Sequence, residues 1–296
     1  SAVTRATREG ALLLALGPKP GIITLHTTFS VDGCVWLVEE LGQRTLATAS
    51  KSLNGVAEHL LRPWIVDIAR GLCAIHRSGW VHLDVKPSNI VLCGEPEAPE
   101  TWAAKLIDFG LAGPQSRSLQ GSPTCPRRAF KSNPVLDAPP DRRPGAVGTP
   151  SYYGPETHAA EAAGRAAPTT PAQDAWSLGV TLAMGALGYN PFARRTAGAV
   201  REAVLAGFTE GGSSAARLLP KSVQELSPSL RHLLRGLLRA DPILRLSCDA
   251  ALHHPWAAAR PDAEGSGGAP EPTRAELARA ERRHKWSPAV VRHRLE

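Results

Sequence analysis

The stretch that most narrows what this chain can fold into is "DAWSLGVTLAMGALGY", residues 174–189, which is almost wholly apolar. A helix with no polar face cannot lie on a surface and must be enclosed by other elements. The segment is therefore predicted to be the spine of a helical core, and 296 residues with 43% hydrophobic content are enough to enclose it.

The flanking patterns supply partners for that spine. "SPSLRHLLRGLLRADP" (227–242) reads as an amphipathic helix stopped by Asp241-Pro242, and "SCDAALHHPW" (247–256) as a further helix, with the core closing at Trp256. Upstream, Leu60, Leu61, Trp64, Ile65, Ile68, Leu72 and Ile75 fall at helical spacing within 55–78, and Gly79 sits where that helix would end. Residues 1–16 predict a helix in which Leu12, Leu13 and Leu16 follow Glu9, halted by "GPKPG". "IITLHTTF" and "CVWLVEEL", joined by "SVDG", predict a hairpin, while "NIVLCG" and "AKLIDFG" predict two strands around a polar turn at 95–101. The fold class is α+β, with strands early and helices dominating the remainder.

Two regions break this order. Residues 113–147 are rich in Pro, Arg and Ser, and they predict a long structureless loop of a kind that is functional or disordered. "EGSGGAPEP" (264–272) reads as a linker, followed by a basic helical segment, "TRAELARAERRHKW" (273–286). That segment is expected to be a solvated terminal helix, with a target of calmodulin or another regulatory partner as the alternative.

Composition excludes several classes. The net charge of +7 comes from 34 Lys+Arg against 27 Asp+Glu. The cations are scattered rather than set on one face among aromatics, so no nucleic-acid partner is expected. The five cysteines, Cys34, Cys73, Cys93, Cys125 and Cys248, form neither a CxxC nor a Cys/His cluster. Reduced thiols in an intracellular, cytoplasmic protein are expected. No apolar run approaches the roughly 18 residues of a membrane span, and no signal sequence opens the chain. The single methionine is Met184, so the sequence is expected to start partway into a longer product or to have been trimmed.

The chemistry concentrates in "HLDVKPSNIVL", residues 82–92. Transfer of a terminal phosphoryl group to a hydroxyl needs a carboxylate to orient the hydroxyl and take its proton, cations for the migrating charge, and oxygen ligands for Mg²⁺. Asp84 suits the first task and Lys86 the second, while Asn89 with Asp108 of "DFG" suits the third. His82 is expected to be a satisfied core histidine rather than an acid or base.

The ordered set "HLDVKPSN", "DFG" and "GPE" resembles the eukaryotic protein kinase family, whose signature is H-R-D-x-K-x-x-N, D-F-G and A-P-E. The resemblance implies a protein kinase-like fold with a mainly helical C-terminal lobe, and a Ser/Thr kinase using ATP and Mg²⁺ on protein hydroxyls. "GTPSYYGPE" (148–156) resembles the peptide-binding loop, and Thr149 would bridge Asp84 and Lys86. Asp174 would bind backbone amides of the catalytic loop, and Arg245 of "DPILRLS" would pair with Glu156. "HHPW" (253–256) is similar to the end of kinases of the calmodulin-dependent type.

The same resemblance exposes departures. Glu9 takes the place of the helix glutamate, Glu40, Leu41 and Gly42 that of the hinge, and Val91 that of the adenine floor, so Glu9, Glu40, Gly42, Val91, Asn89 and Asp108 form the implied nucleotide site. No Gly-rich loop or strand lysine precedes Glu9, which implies a truncated N-terminal lobe over 1–42, a C-terminal lobe over 43–256 with its 113–147 insertion, and a tail over 257–296. An interaction module without catalysis is the alternative. Leu83 replaces the arginine that grips an activation-loop phosphate, which weakens Ser116, Ser118 and Ser122 as switches. Glu39 falls at the gatekeeper position, so either the register shifts by one or a carboxylate faces the back of the pocket.

Overall fold

The computed structural model describes residues 2–95, 101–116, 133–137, 148–209 and 219–259. It opens with α1 (Ala2–Leu16), whose buried stripe is Leu12, Leu13 and Leu16. The antiparallel hairpin β1 (Leu25–Val31) and β2 (Cys34–Glu39) follows. Asp32 and Gly33 turn it with φ of 51° and 74°, the mirror-image geometry that matches the twist of paired strands. Along β2 the inward Val35, Leu37 and Glu39 alternate with the exposed Cys34, Trp36 and Val38, and Gly10 of α1 lies against Leu37. Phe29 and Trp36 stack on the outer face with ring centroids 6.3 Å apart.

After β3 (Arg44–Thr45), α2 (Leu46–Ser52) and α3 (Glu58–Arg77) the chain forms β4 (Trp80–Val81), β5 (Ile90–Cys93), β6 (Ala103–Leu106) and β7 (Gly113–Pro114). Strands β3, β5 and β6 make one antiparallel sheet in that order, and β4 pairs with β7. Next come α4 (Pro134–Asp137), α5 (Pro155–Ala162), α6 (Pro171–Leu187), α7 (Ala197–Thr209), α8 (Pro228–Leu237), α9 (Cys248–Leu252) and α10 (Pro255–Ala258).

Helix α6 is the predicted spine. Thr170 and Gln173 close a capping box at its start, Pro171 occupies its first turn, and Gly188 ends it in the left-handed region. Trp176, Leu178, Val180, Leu182 and Ala183 are enclosed within it, and α2, α3, α8 and α9 pack around it. One hydrophobic core runs without a break from Leu12 on α1 to Trp256 on α10. A carboxylate staples the periphery: Glu58 of α3 accepts hydrogen bonds from the Ser227 N–H (2.8 Å) and hydroxyl (2.7 Å) and from Trp256 Nε1 (2.8 Å). The first turn of α3, the cap of α8 and α10 are thereby held together.

Three expectations need correction. The helix read over 247–256 is two short ones, because His254 precedes Pro255 and takes extended backbone (ψ 141°), its ring capping the Trp256 N–H. Helix α8 stops at Leu237, well before Pro242, since the carbonyls of Arg239 and Ala240 turn aside to the Arg245 guanidinium. The stretch 113–147 is structured at two places, β7 and α4, and α4 packs on α1 with Leu136 buried. Its remaining residues, 117–132 and 138–147, and the basic segment 273–286 lie outside the described residues. Cys34, Cys73, Cys93 and Cys248 are free thiols, and Cys125 lies outside the described residues. Among the described residues no helix is long and apolar enough to cross a membrane.

Two enclosed imidazoles set an acid limit on stability. His158 on α5 has no exposed surface; burial, then the Arg201 charge, outweigh the pull of the Pro150 backbone and the Glu156 charge and hold its pKa down to about 4. Burial and the neighbouring His232 do the same for His254, also to about 4. Because both folded-state values lie below the ordinary 6.5, stability is complete above pH 6.5 and is lost as pH falls toward 4. Each imidazole should contribute up to about 1.4 kcal/mol per pH unit across that window. Denaturant midpoints measured from pH 7 to 4.5 should show this slope, and His158→Leu should flatten it by about one proton.

Candidate active site

The site is built from α6 outward. Asp174, fully buried in the first turn of α6, accepts hydrogen bonds from the backbone N–H of His82 (2.8 Å) and Leu83 (2.9 Å) and contacts His76 Nε2 (2.8 Å). Burial acts to raise its pKa, but the His76 contact and the His82 amide outweigh it and hold the carboxyl below its usual range. Pinned in this way, Leu83 adopts φ 70°, a left-handed conformation rare for a side chain of its size. That reversal turns the next residue, Asp84, into the cleft. His82 is a core imidazole as expected: its ring sits 4.8 Å from that of Phe109, its Nε2 meets the Ile107 carbonyl (3.2 Å), and burial holds its pKa down.

Three predicted residues converge on the carboxylate of a fourth, Asp84. Lys86 Nζ donates to Asp84 Oδ2 (2.7 Å) and to the Thr149 hydroxyl (2.9 Å), and that hydroxyl donates to Asp84 Oδ1 (3.1 Å). The Asn89 side-chain amide donates to Asp84 Oδ2 (2.9 Å) and to the Asp84 carbonyl (3.0 Å). Asp84 is thus orientated from three sides while remaining able to accept a further hydrogen bond.

Asp108 ends the β6 segment at φ 61°, exposed, with the Gly110 N–H on its Oδ1 at 3.3 Å. Since the Asn89 NH₂ is committed to Asp84, its Oδ1 remains as a hard oxygen donor alongside the Asp108 carboxylate. This donor set fits Mg²⁺, which takes one or two protein oxygens together with substrate phosphates. Among the described residues no three His, Cys, Asp or Glu side chains are grouped to hold a metal unaided.

The recess beside α1 is acidic. Glu9 accepts from the Phe109 N–H at 2.7 Å, and burial, reinforced by Asp108 and Glu39, pushes its pKa up to about 7 against the opposing pull of that amide. Glu39 lies on the inward side of β2, and burial followed by the Asp108 and Glu40 charges raises its pKa. A carboxylate thus faces the recess. The Glu40 side chain turns elsewhere, to Lys105 and the Thr24 N–H. Gly42 rests on Val91, where an added Cβ would come within 2.7 Å of the valine Cβ. Glu156 and Arg245 form a bidentate pair at 2.7 and 2.8 Å.

Gly148 carries a constraint that the sequence did not reveal. Its φ is 114°, and a Cβ there would lie 2.7 Å from the Leu83 carbonyl and 3.3 Å from Asp84 Oδ1. His76 and Lys105 were likewise not singled out, because their roles depend on partners 98 and 65 residues away in the chain.

A helical body with a small sheet lobe, and an Asp-Lys-Asn-Thr cluster facing an Asp-Phe-Gly turn, define a kinase-like α+β protein. The protein kinase domain family matches residues 1–257, and the chain belongs to that family. It is 28% identical over 255 residues to calcium-dependent protein kinase 20 of Oryza sativa subsp. japonica, covering 84% of the chain and 38% of that protein. It is 29% identical over 252 residues to ribosomal protein S6 kinase alpha-3 of Homo sapiens, covering 84% of the chain and 30% of that protein. The chain therefore spans well under half the length of these curated relatives, which are Ser/Thr kinases of the calmodulin-dependent-like group.

The Gly148 contact can be checked directly. Gly148→Ala should cost about 1–3 kcal/mol in denaturant unfolding, through backbone strain and displacement of Thr149 from Asp84. An unchanged midpoint would show that the loop accommodates a side chain.

Proposed function

We propose that the chain carries the catalytic body of a Ser/Thr protein kinase, transferring the γ-phosphoryl group of ATP to protein hydroxyls. The observation that carries this reading is the convergence of Lys86, Asn89 and Thr149 on the Asp84 carboxylate. Asp84 would accept a hydrogen bond from the substrate hydroxyl and receive its proton as the oxygen bonds to phosphorus. Lys86 would stabilise charge on the transferring group. Thr149 holds Lys86 and Asp84 in register, and its contact with both supports Ser/Thr hydroxyls as acceptors. Asn89 Oδ1 and Asp108 would hold Mg²⁺, which when bound neutralises phosphate charge. Gly42 and Val91 would meet the base, with Glu9 lying behind Asp108. Calcium- or calmodulin-type regulation through 273–286 is a further part of this reading, supported by the name of the rice relative.

A second reading, a docking module without catalysis, is favoured by one feature. Among the described residues no lysine or arginine pairs with Glu9, whose carboxyl is left with a pKa of about 7. Without a cation behind the phosphates, positioning of ATP is incomplete.

The test is transfer of labelled γ-phosphate from Mg·ATP to a generic basic protein by this chain and by its Asp84→Asn and Asp108→Ala variants. Kinase function predicts incorporation that falls at least about 100-fold in each variant. Equal incorporation in all three would point to a contaminating kinase, and none in the unaltered chain would leave the docking module.

A further inference from the structure

We propose that Glu40 is a positioning residue, whose carboxylate is a latch fixing the base of the β1–β2 hairpin over the β5–β6 strands. The inference does not depend on whether the chain transfers phosphoryl groups.

The latch closes on both ends of the hairpin. Glu40 Oε1 accepts from the Thr24 N–H at 2.6 Å, and the Glu40 N–H donates back to the Thr24 carbonyl at 3.0 Å. Lys105 Nζ then donates to both carboxylate oxygens, at 2.5 and 2.6 Å. Lys105 pairs with Val91 in the β5–β6 register, and directly opposed residues of antiparallel strands share a face. Two residues beyond Glu40, Gly42 packs against that same Val91. The peptide 40–42 is thus held down by charge at one point and by close contact at the next.

The two chain segments entering and leaving the hairpin are secured differently. The incoming one has backbone bonds of its own to β6, from the Ile23 N–H to the Leu106 carbonyl (3.0 Å) and from the Leu106 N–H to the Gly21 carbonyl (2.9 Å). The outgoing one has the Gln43 N–H on the Leu92 carbonyl (2.8 Å), and between that bond and Thr24 it relies on Glu40. Farther out, Phe29, Val31 and Trp36 are each about half exposed, so little packing on the outer face steadies the hairpin. Its orientation is then decided by its inner face, where Leu37 lies against Gly10 of α1, and by its base. The latch sits where solvent is mostly excluded, with Lys105 and Glu40 side chains 20% and 22% exposed. Charge-assisted bonds in such a place are stronger than surface pairs. Burial acts to raise the Glu40 pKa, and the bonds from Lys105 and Thr24 bring it below the usual carboxylate range.

Amide hydrogen exchange on the full chain tests the proposal, with Glu40→Gln, Lys105→Met, the double variant and Lys105→Arg. Each loss-of-charge variant should speed exchange at Thr24 and across 37–43 on the order of tenfold, while α3 and α6 keep their protection. The double variant should exchange no faster than either single one, because both remove the same latch. Lys105→Arg, which keeps the cation, should restore slow exchange. Unchanged exchange at Thr24, additive effects in the double variant, failure of Lys105→Arg to rescue, or equal loss across α3 and α6 would each overturn the proposal.

Discussion

Asp174 is the group on which the geometry of the candidate site rests. A carboxylate with no exposed surface is costly unless hydrogen bonds replace its water, and here two consecutive backbone amides and one imidazole do so. Drawing two successive N–H groups to one side chain bends the chain sharply, and Leu83 absorbs the bend at φ 70°. Such a conformation costs about 1–3 kcal/mol and persists only where the surroundings over-determine it. The surroundings do so because Asp174 belongs to α6, a helix enclosed by α2, α3, α8 and α9 and unable to shift alone. The shape of the catalytic turn is therefore set by the helical core.

From that anchor outward the charges divide into two sets. Below the cleft, Lys86 is bonded to Asp84 and Thr149, and Arg245 to Glu156. At its back, Lys105 is bonded to Glu40. Between them Glu9, Glu39 and Asp108 line the recess, and burial first, then the Asp108 charge, raises the pKa of both glutamates, with Glu39 adding to the effect on Glu9 and Glu40 to that on Glu39. The recess thus favours a positively charged group.

Much of this was legible in the sequence where the determining forces are local. The α6 spine follows from composition alone, and the Asp84, Lys86 and Asn89 cluster from short spacings around a turn, while Asp108 was read from the "DFG" motif. Glu9 follows from the resemblance, which puts it in the place of the helix glutamate, while Leu12, Leu13 and Leu16 mark the stripe that packs α1 onto the core. Helices α5 and α7 escaped notice because "PETHAAEA" and "AGAVREAVLAGFT" are rich in alanine and glycine, which leave a faint hydrophobic period. The role of Gly148 depends on the Leu83 carbonyl, brought near only by the bend that Asp174 imposes. Glu40 was read as part of the hinge, and no local pattern could show its carboxylate committed to a lysine 65 residues away.

The leucine at position 83 gains meaning from the same anchor. Its side chain offers no donor to a phosphate, so a phosphorylated residue in 113–147 has no partner at this position through which to organise the catalytic turn. Nor does the turn need one, since its backbone is already held by Asp174 from α6 and its carboxylate by Lys86, Asn89 and Thr149. Ser116, at the start of that stretch, is occupied in another way, its hydroxyl accepting the Thr169 N–H at 2.9 Å next to the cap of α6. A phosphate there would break a bond that supports the spine rather than complete one that supports the site. The lower half of this candidate site is consequently preassembled.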